Sequence, residues 1–387
     1  MMFGPIREST DRAARTRAAS PNGRLFSMLP LDRQIAESID GVARALAEWS
    51  VGALYERNAD FTERYGALGR ALWKGEMVNR LQYLSEGIAA DRSALFVQSV
   101  EWARAAFVAR NMDPRDLAES LLVLDETIRA ELPAQVASRA SRFIQEGIAA
   151  ARRVPRGDGG PADSLLDSDE VDGNRARLYL LHLLERKQSK AVDVLLDGVR
   201  SGLSVADVYE KVISPALVEV GRMWHLREAT VADEHYVTAA TQSAMSVLRG
   251  KLPQATPNGK RILAASVGGD LHDVGIRMVA DLLESEGFQV ECMGANMPVE
   301  DIVEHAIDEL GRPQFDLIAL SASTGLAIRS IASAIAAIRN ATPDHHQLVM
   351  VGGGPFVSIP DLWKVVDADG SASTASDAVR VASRLCG

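Results

Sequence analysis

Asp270 and His272 stand two residues apart in the run Gly268-Gly269-Asp270-Leu271-His272-Asp273-Val274-Gly275. A histidine in such a loop can coordinate a metal through one ring nitrogen while the other donates to the nearby carboxylate. That partner fixes the tautomer and raises the basicity of the ligating nitrogen. Gly275 lets the following helix begin with its backbone close to a bulky ligand. Taken alone, Asp-x-His-x-x-Gly equally describes a loop histidine that satisfies a hydrogen bond. Three more loops bear on the choice. Leu320-Ser321-Ala322-Ser323-Thr324-Gly325 offers hydroxyls without bulk. Val351-Gly352-Gly353-Gly354 permits close approach of a ligand, and Met293-Gly294-Ala295-Asn296-Met297-Pro298 completes the set.

A second constellation lies upstream, in Gly221-Arg222-Met223-Trp224-His225 and Thr230-Val231-Ala232-Asp233-Glu234-His235. Thr230 and Asp233 have capping-box spacing, so two helices meet at a corner that brings Trp224 near Glu234 and His235. An aromatic wall supplies area and shape, and a carboxylate accepts from hydroxyls. In an isolated bundle the same residues would read as core and exposed face.

These loops need a scaffold. Apolar runs Arg261 to Val267, Gln289 to Met293, Asp316 to Leu320 and Gln347 to Val351 each precede a helical stretch. Strands alternating with helices predict a doubly wound parallel sheet over 258–387, whose ligands bind beyond the carboxyl ends of the strands. Four helices are predicted before it, Asn174 to Glu185, Ala191 to Val199, Ser204 to about Trp224 and Thr230 to Leu252, which suggests a four-helix bundle over 174–255. Residues 154–173 have linker composition, with glycines, prolines and aspartates. Residues 31–153 are helical throughout: Phe96, Val100, Ala103 and Phe107, then Leu117, Leu121, Leu124 and Ile128, recur at helical spacing. Asp113, Pro114 and Asp116 mark a helix start. Residues 1–30 carry five arginines and no sustained apolar period, which reads as a disordered arm.

The chain has 387 residues, 47% of them hydrophobic, enough for several cores. Its net charge of −10 repels phosphate backbones and disfavours free-standing nucleic-acid binding. Two cysteines, Cys292 and Cys386, make no disulfide framework, and no run is apolar enough to span a membrane, so a cytoplasmic location is expected.

The four strand-end loops together resemble the cobalamin-binding domain of methionine synthase, the mutases and corrinoid proteins, over Lys260 to Gly387. The resemblance implies that His272 is the lower cobalt ligand in place of the cofactor's dimethylbenzimidazole. The displaced nucleotide tail would lie in a slot beside Ser321, Ser323, Gly352 and Gly353. The bundle would then cover the upper corrin face. Tryptophan, nine residues, then Glu-His is similar to the CarH type of adenosylcobalamin photoreceptor. This implies that Trp224, Glu234 and His235 contact the adenosyl group, and that His225 takes the vacant axial position after photolysis.

The resemblance stops short of the whole family. Nothing in the first 170 residues resembles a MerR-type helix-turn-helix, and no TIM-barrel repeat offers a mutase chamber. The expectation is therefore a protein that is not an enzyme: an adenosylcobalamin-dependent light sensor signalling to an unknown protein partner, with homo-oligomers expected. The alternative is a corrinoid carrier of methyl groups between methyltransferases. Residues 31–153 contain no histidine or cysteine to hold a haem or a thioether-linked bilin. Their layout is similar to that of the photocobilins, which leaves open a non-covalent biliverdin, with Arg64, Arg80 and Arg104 for its propionates and Trp73 or Trp102 as walls. A dimerisation or docking role stands beside it.

Overall fold

Leu117, Leu121, Leu124 and Ile128 form one stripe of a helix and are all fully buried in the computed structural model. The structure describes residues 31–153, 163, 164, 166 and 171–387. The expected arm, 1–30, and most of the segment 154–173 lie outside the described residues.

The first unit comprises α1 (Leu31–Arg57), α2 (Phe61–Tyr65), α3 (Gly69–Ala89), α4 (Ser93–Ala109), α5 (Pro114–Glu131) and α6 (Ala134–Arg152). The Asp113 side chain accepts from the Arg115 N–H at 2.8 Å and caps α5, with Pro114 at its first turn, where a missing N–H costs nothing. Phe96, Val100 and Phe107 of α4 face inward. Burial of each such side chain stabilises the fold by about 1.5–3 kcal/mol.

The second unit is built from α7 (Val171–Leu184), α8 (Gln188–Arg200), α9 (Val205–Val208), α10 (Ser214–His225) and α11 (Val231–Arg249). The helix expected to run unbroken from Ser204 to Trp224 is divided by a π turn at Tyr209–Ile213. Pro215 follows that turn; it has no N–H for the carbonyl four residues earlier, and its ring needs room there, which a wider turn supplies. Capping boxes at Ser204–Asp207 and Thr230–Asp233 start α9 and α11.

The third unit is a five-stranded parallel sheet in the order β2-β1-β3-β4-β5. Its elements are β1 (Arg261–Val267), α12 (Val274–Ser285), β2 (Gln289–Met297), α13 (Val299–Ala306), β3 (Leu317–Ser321), α14 (Ile328–Ala341), β4 (Leu348–Gly352), α15 (Gly354–Ser358), α16 (Leu362–Val365), β5 (Gly370–Ala372) and α17 (Ala375–Cys386). The order reverses between β1 and β3, so the loops after these two strands flank the crevice in which such sheets bind ligands.

The bundle shares its core with α12 and α17, through Val274, Met278, Leu282 and Ala375. Tyr209 donates to Asp281 Oδ2 at 2.7 Å, and the Ser376 N–H to Glu210 Oε1 at 2.8 Å. The first unit docks on the opposite layer, where Ala90 and Leu95 join Ala327, Ile328 and Ile331. Among the described residues no helix is long and apolar enough to cross a membrane.

Candidate functional site

The loop after β1 holds His272 by a buried carboxylate. Asp270 is 2% exposed. Its Oδ1 accepts from the His272 N–H at 3.0 Å and from His272 Nδ1 at 2.9 Å, and its Oδ2 accepts from the Ser323 N–H. An ionised carboxylate only accepts, so in the neutral ring Nδ1 carries the proton and Nε2 keeps its lone pair. The imidazole is 63% exposed. Burial pushes Asp270 upward, yet the hydrogen bonds from His272 and Ser323 outweigh it and hold the carboxyl below its usual range. The same hydrogen bond, donated to Asp270, raises His272; desolvation opposes, and Glu234 and Asp273 add to the rise.

Residues beyond the expected set hold this loop. Ser266 Oγ donates to the His272 carbonyl at 2.9 Å. The Asn296 N–H donates to the Asp270 carbonyl at 2.9 Å, and its side-chain oxygen accepts from the Gly269 N–H at 2.7 Å. Asn296 takes a φ of +56°, in the left-handed region that asparagine tolerates better than most side chains. From the bundle, Gln242 donates to Asp273 Oδ1 at 2.8 Å, opposite Arg277 on Oδ2 at 2.7 Å.

Ser321 pairs in register with Gly352 at the ends of β3 and β4. Gly353 has a φ of +104°, and a Cβ there would stand 2.1 Å from the Ala322 carbonyl oxygen. The β4 loop therefore lies on the β3 loop, and glycine is required at position 353 by the chain itself. A Cβ on Gly275 would meet nothing within 4 Å, which leaves the start of α12 open on that side.

The bundle corner departs from expectation in two ways. His235 is 75% exposed, with Nε2 3.5 Å from Glu234 Oε2, so it stands on the outer face of α11. His225 gives Nε2 to the Trp102 carbonyl at 2.8 Å. Burial lowers its pKa. In this structure that nitrogen faces the first unit, away from the axial role expected of it after photolysis. Trp224, 48% exposed, lies with its ring 6.4 Å from His225. Glu234 is near enough to His272 to act on it electrostatically.

Three of the residues considered for a second tetrapyrrole, Trp73, Arg64 and Arg80, are engaged within the first unit. Trp73 is 4% exposed among Phe61, Tyr65 and Phe107, with ring centroids 5.5–5.8 Å away. Arg64 pairs with Asp116 and, at 2.8 Å, with Asp60, while Arg80 lies buried beside Glu76 at 3.1 Å.

As a whole the site offers one imidazole nitrogen, oriented by a buried acid, at the carboxyl ends of parallel strands. That donor set suits a metal whose other ligands arrive with a cofactor.

Comparison with known proteins agrees. Models of the B12 binding domain match residues 260–380 and, separately, 176–249. The chain is 26% identical over 198 residues to dimethylamine corrinoid protein 1 of Methanosarcina acetivorans, spanning 50% of this chain and 90% of that protein. It is 27% identical over 193 residues to dimethylamine corrinoid protein 2 of the same organism, spanning 49% and 86%. Among solved structures, the monomethylamine corrinoid protein of Methanosarcina barkeri is 21% identical, covers 56% of this chain and 100% of its own, and has a TM-score of 0.48. These relatives overturn the light-sensor expectation and its CarH assignment: they are methylamine corrinoid proteins. The expectation that the chain is not itself an enzyme accords with them. Cobalamin binding is the property both domain matches carry.

Proposed function

We propose that this chain is a corrinoid carrier of a methyl-transfer system, holding its cofactor between the bundle and the parallel sheet and docking in turn with separate methyltransferases. The observation that carries the reading is His272, whose Nδ1 is tied to buried Asp270 so that Nε2 is left for cobalt. When bound, the corrinoid supplies the cobalt atom that accepts and releases the methyl group.

Everything else falls to the chain. His272 would hold the cobalt, and Asp270 holds its ring and tautomer. The Ser323 N–H keeps Asp270 in place. Gly275, Ser321, Ser323, Gly352 and Gly353 would line the slot for the nucleotide tail. Trp224 and Glu234 would bound the site on the bundle side and limit water there, with His235 at its outer edge. The group carried would be methyl in place of adenosyl.

The test uses the full chain and methylcobalamin. Wild-type protein should retain the cofactor through gel filtration with a histidine-dependent visible spectrum, and His272→Ala should lose that spectral signature. A variant spectrum identical to wild type, or a wild-type chain that retains nothing, would falsify the proposal.

A further inference from the structure

The first helical unit touches both halves of the site. At one end of α4, Leu95 meets the loop after β3: a Cβ on Gly325 would stand 3.1 Å from Leu95 Cδ2 and 3.3 Å from Tyr83 Cε1 of α3. Gly325 lies two residues beyond Ser323, whose N–H holds Asp270 and through it His272. Further along α4, the Trp102 carbonyl accepts from His225 at the bundle corner, with the two rings edge-on at 5.1 Å. Leu95 and Trp102 are two helical turns apart, about 10 Å along the axis.

The β3 loop and the bundle corner are the two borders of the proposed corrinoid space, and α4 bridges from one to the other. Its Trp102 continues an aromatic row that runs through His225 to Trp224. Trp102 is 39% exposed and Trp224 48%, so these rings edge an open side of the molecule and do not fill a core.

Resting on the carrier reading, we propose that the first helical unit is the third wall of the corrinoid site and that Trp102, with Tyr83, packs against the rim of the macrocycle. The ligand chemistry fits. A corrin carries methyl groups and amide side chains around its periphery, and an indole supplies both apolar contact area and an N–H donor for an amide oxygen. The unit thus closes the site on the side that neither the bundle nor the sheet covers.

The experiment titrates full-length protein with methylcobalamin, read by visible absorbance, and follows hydrogen exchange of α4 with and without the cofactor. Trp102→Ala removes the ring and keeps the carbonyl that holds His225, so it should weaken binding about 10- to 100-fold while preserving the His272-dependent spectrum. In wild type, exchange across 95–103 should slow on cofactor addition; this readout stands even if the variant folds poorly. Unchanged affinity in a folded Trp102→Ala protein overturns the wall and leaves the carrier reading intact, as does exchange in α4 that ignores the cofactor. A wild-type chain that takes up no methylcobalamin overturns both.

Discussion

Raising the pH should loosen the joint between the first helical unit and the sheet, and Glu86→Gln should remove that dependence. Glu86 is 4% exposed. Its Oε1 accepts from Arg329 Nε at 2.8 Å and its Oε2 from the Arg329 N–H at 3.0 Å, so one carboxylate meets both the backbone and the side chain at the start of α14. Burial outweighs this pairing and lifts the Glu86 carboxyl from 4.5 to about 7, with Asp40 adding to the rise. Arg329 is raised in turn: burial opposes, but Glu86 and Asp40 prevail. The two directions are compatible, because the guanidinium has two acidic neighbours whereas the carboxylate faces one cation and another acid.

A group with a raised folded-state pKa binds its proton more tightly in the folded state. Its stabilisation is complete below the unfolded value near 4.5 and is lost as the pH climbs through about 7. The interval between those values, at 1.36 kcal/mol for each pH unit, amounts to about 3 kcal/mol. Glutamine is neutral at every pH and still accepts one of the two hydrogen bonds. Melting temperatures measured from pH 5 to pH 8 should therefore fall more steeply for wild type than for Glu86→Gln, with the curves diverging by several degrees. Parallel curves would refute the reasoning, since they would mean that Glu86 is ionised throughout.

Other expectations follow from single contacts. Asp270→Asn should weaken histidine-dependent corrinoid binding about 10- to 100-fold, measured by absorbance titration; wild-type affinity would show that the carboxylate does not orient the ring. Gly353→Ala should destabilise the sheet unit by about 1–3 kcal/mol or more in denaturant unfolding, because the new methyl meets the Ala322 carbonyl at a positive φ. Thr230→Ala should cost about 1 kcal/mol through loss of the α11 cap, a result checked by the same unfolding assay. Tyr209→Phe should cost about 1–3 kcal/mol, since it strips buried Asp281 of its 2.7 Å donor; an unchanged midpoint would assign that acid to Arg249 alone.

What the sequence reveals depends on how far apart the partners lie along the chain. Asp270 and His272 are legible because they share a loop, and the capping box at Thr230 because it is local. The four longer strands are legible from apolar runs before helices. β5 is not, since three residues, Gly370–Ala372, carry no periodicity. β2 extends to Met297, past the apolar run, because its pairing with β1 shifts register beyond Ala264 and continues through Gly294. The Trp102 to His225 bond joins residues 123 apart, and Glu86 to Arg329 spans 243. No spacing rule reaches that far. Asn296 left a trace, an asparagine after glycine and alanine near a strand end, but its φ of +56° and its hold on Gly269 exist only in the folded loop.

The carboxylate of Asp270 ties two strands together, one oxygen on the β1 loop and the other on the peptide of Ser323. A pull on the imidazole is thus transmitted as a pull on the β3 crossover, and from there to α14 and the acid that clasps Arg329. The helical unit at the far end of that linkage is mechanically in series with whatever the histidine grips.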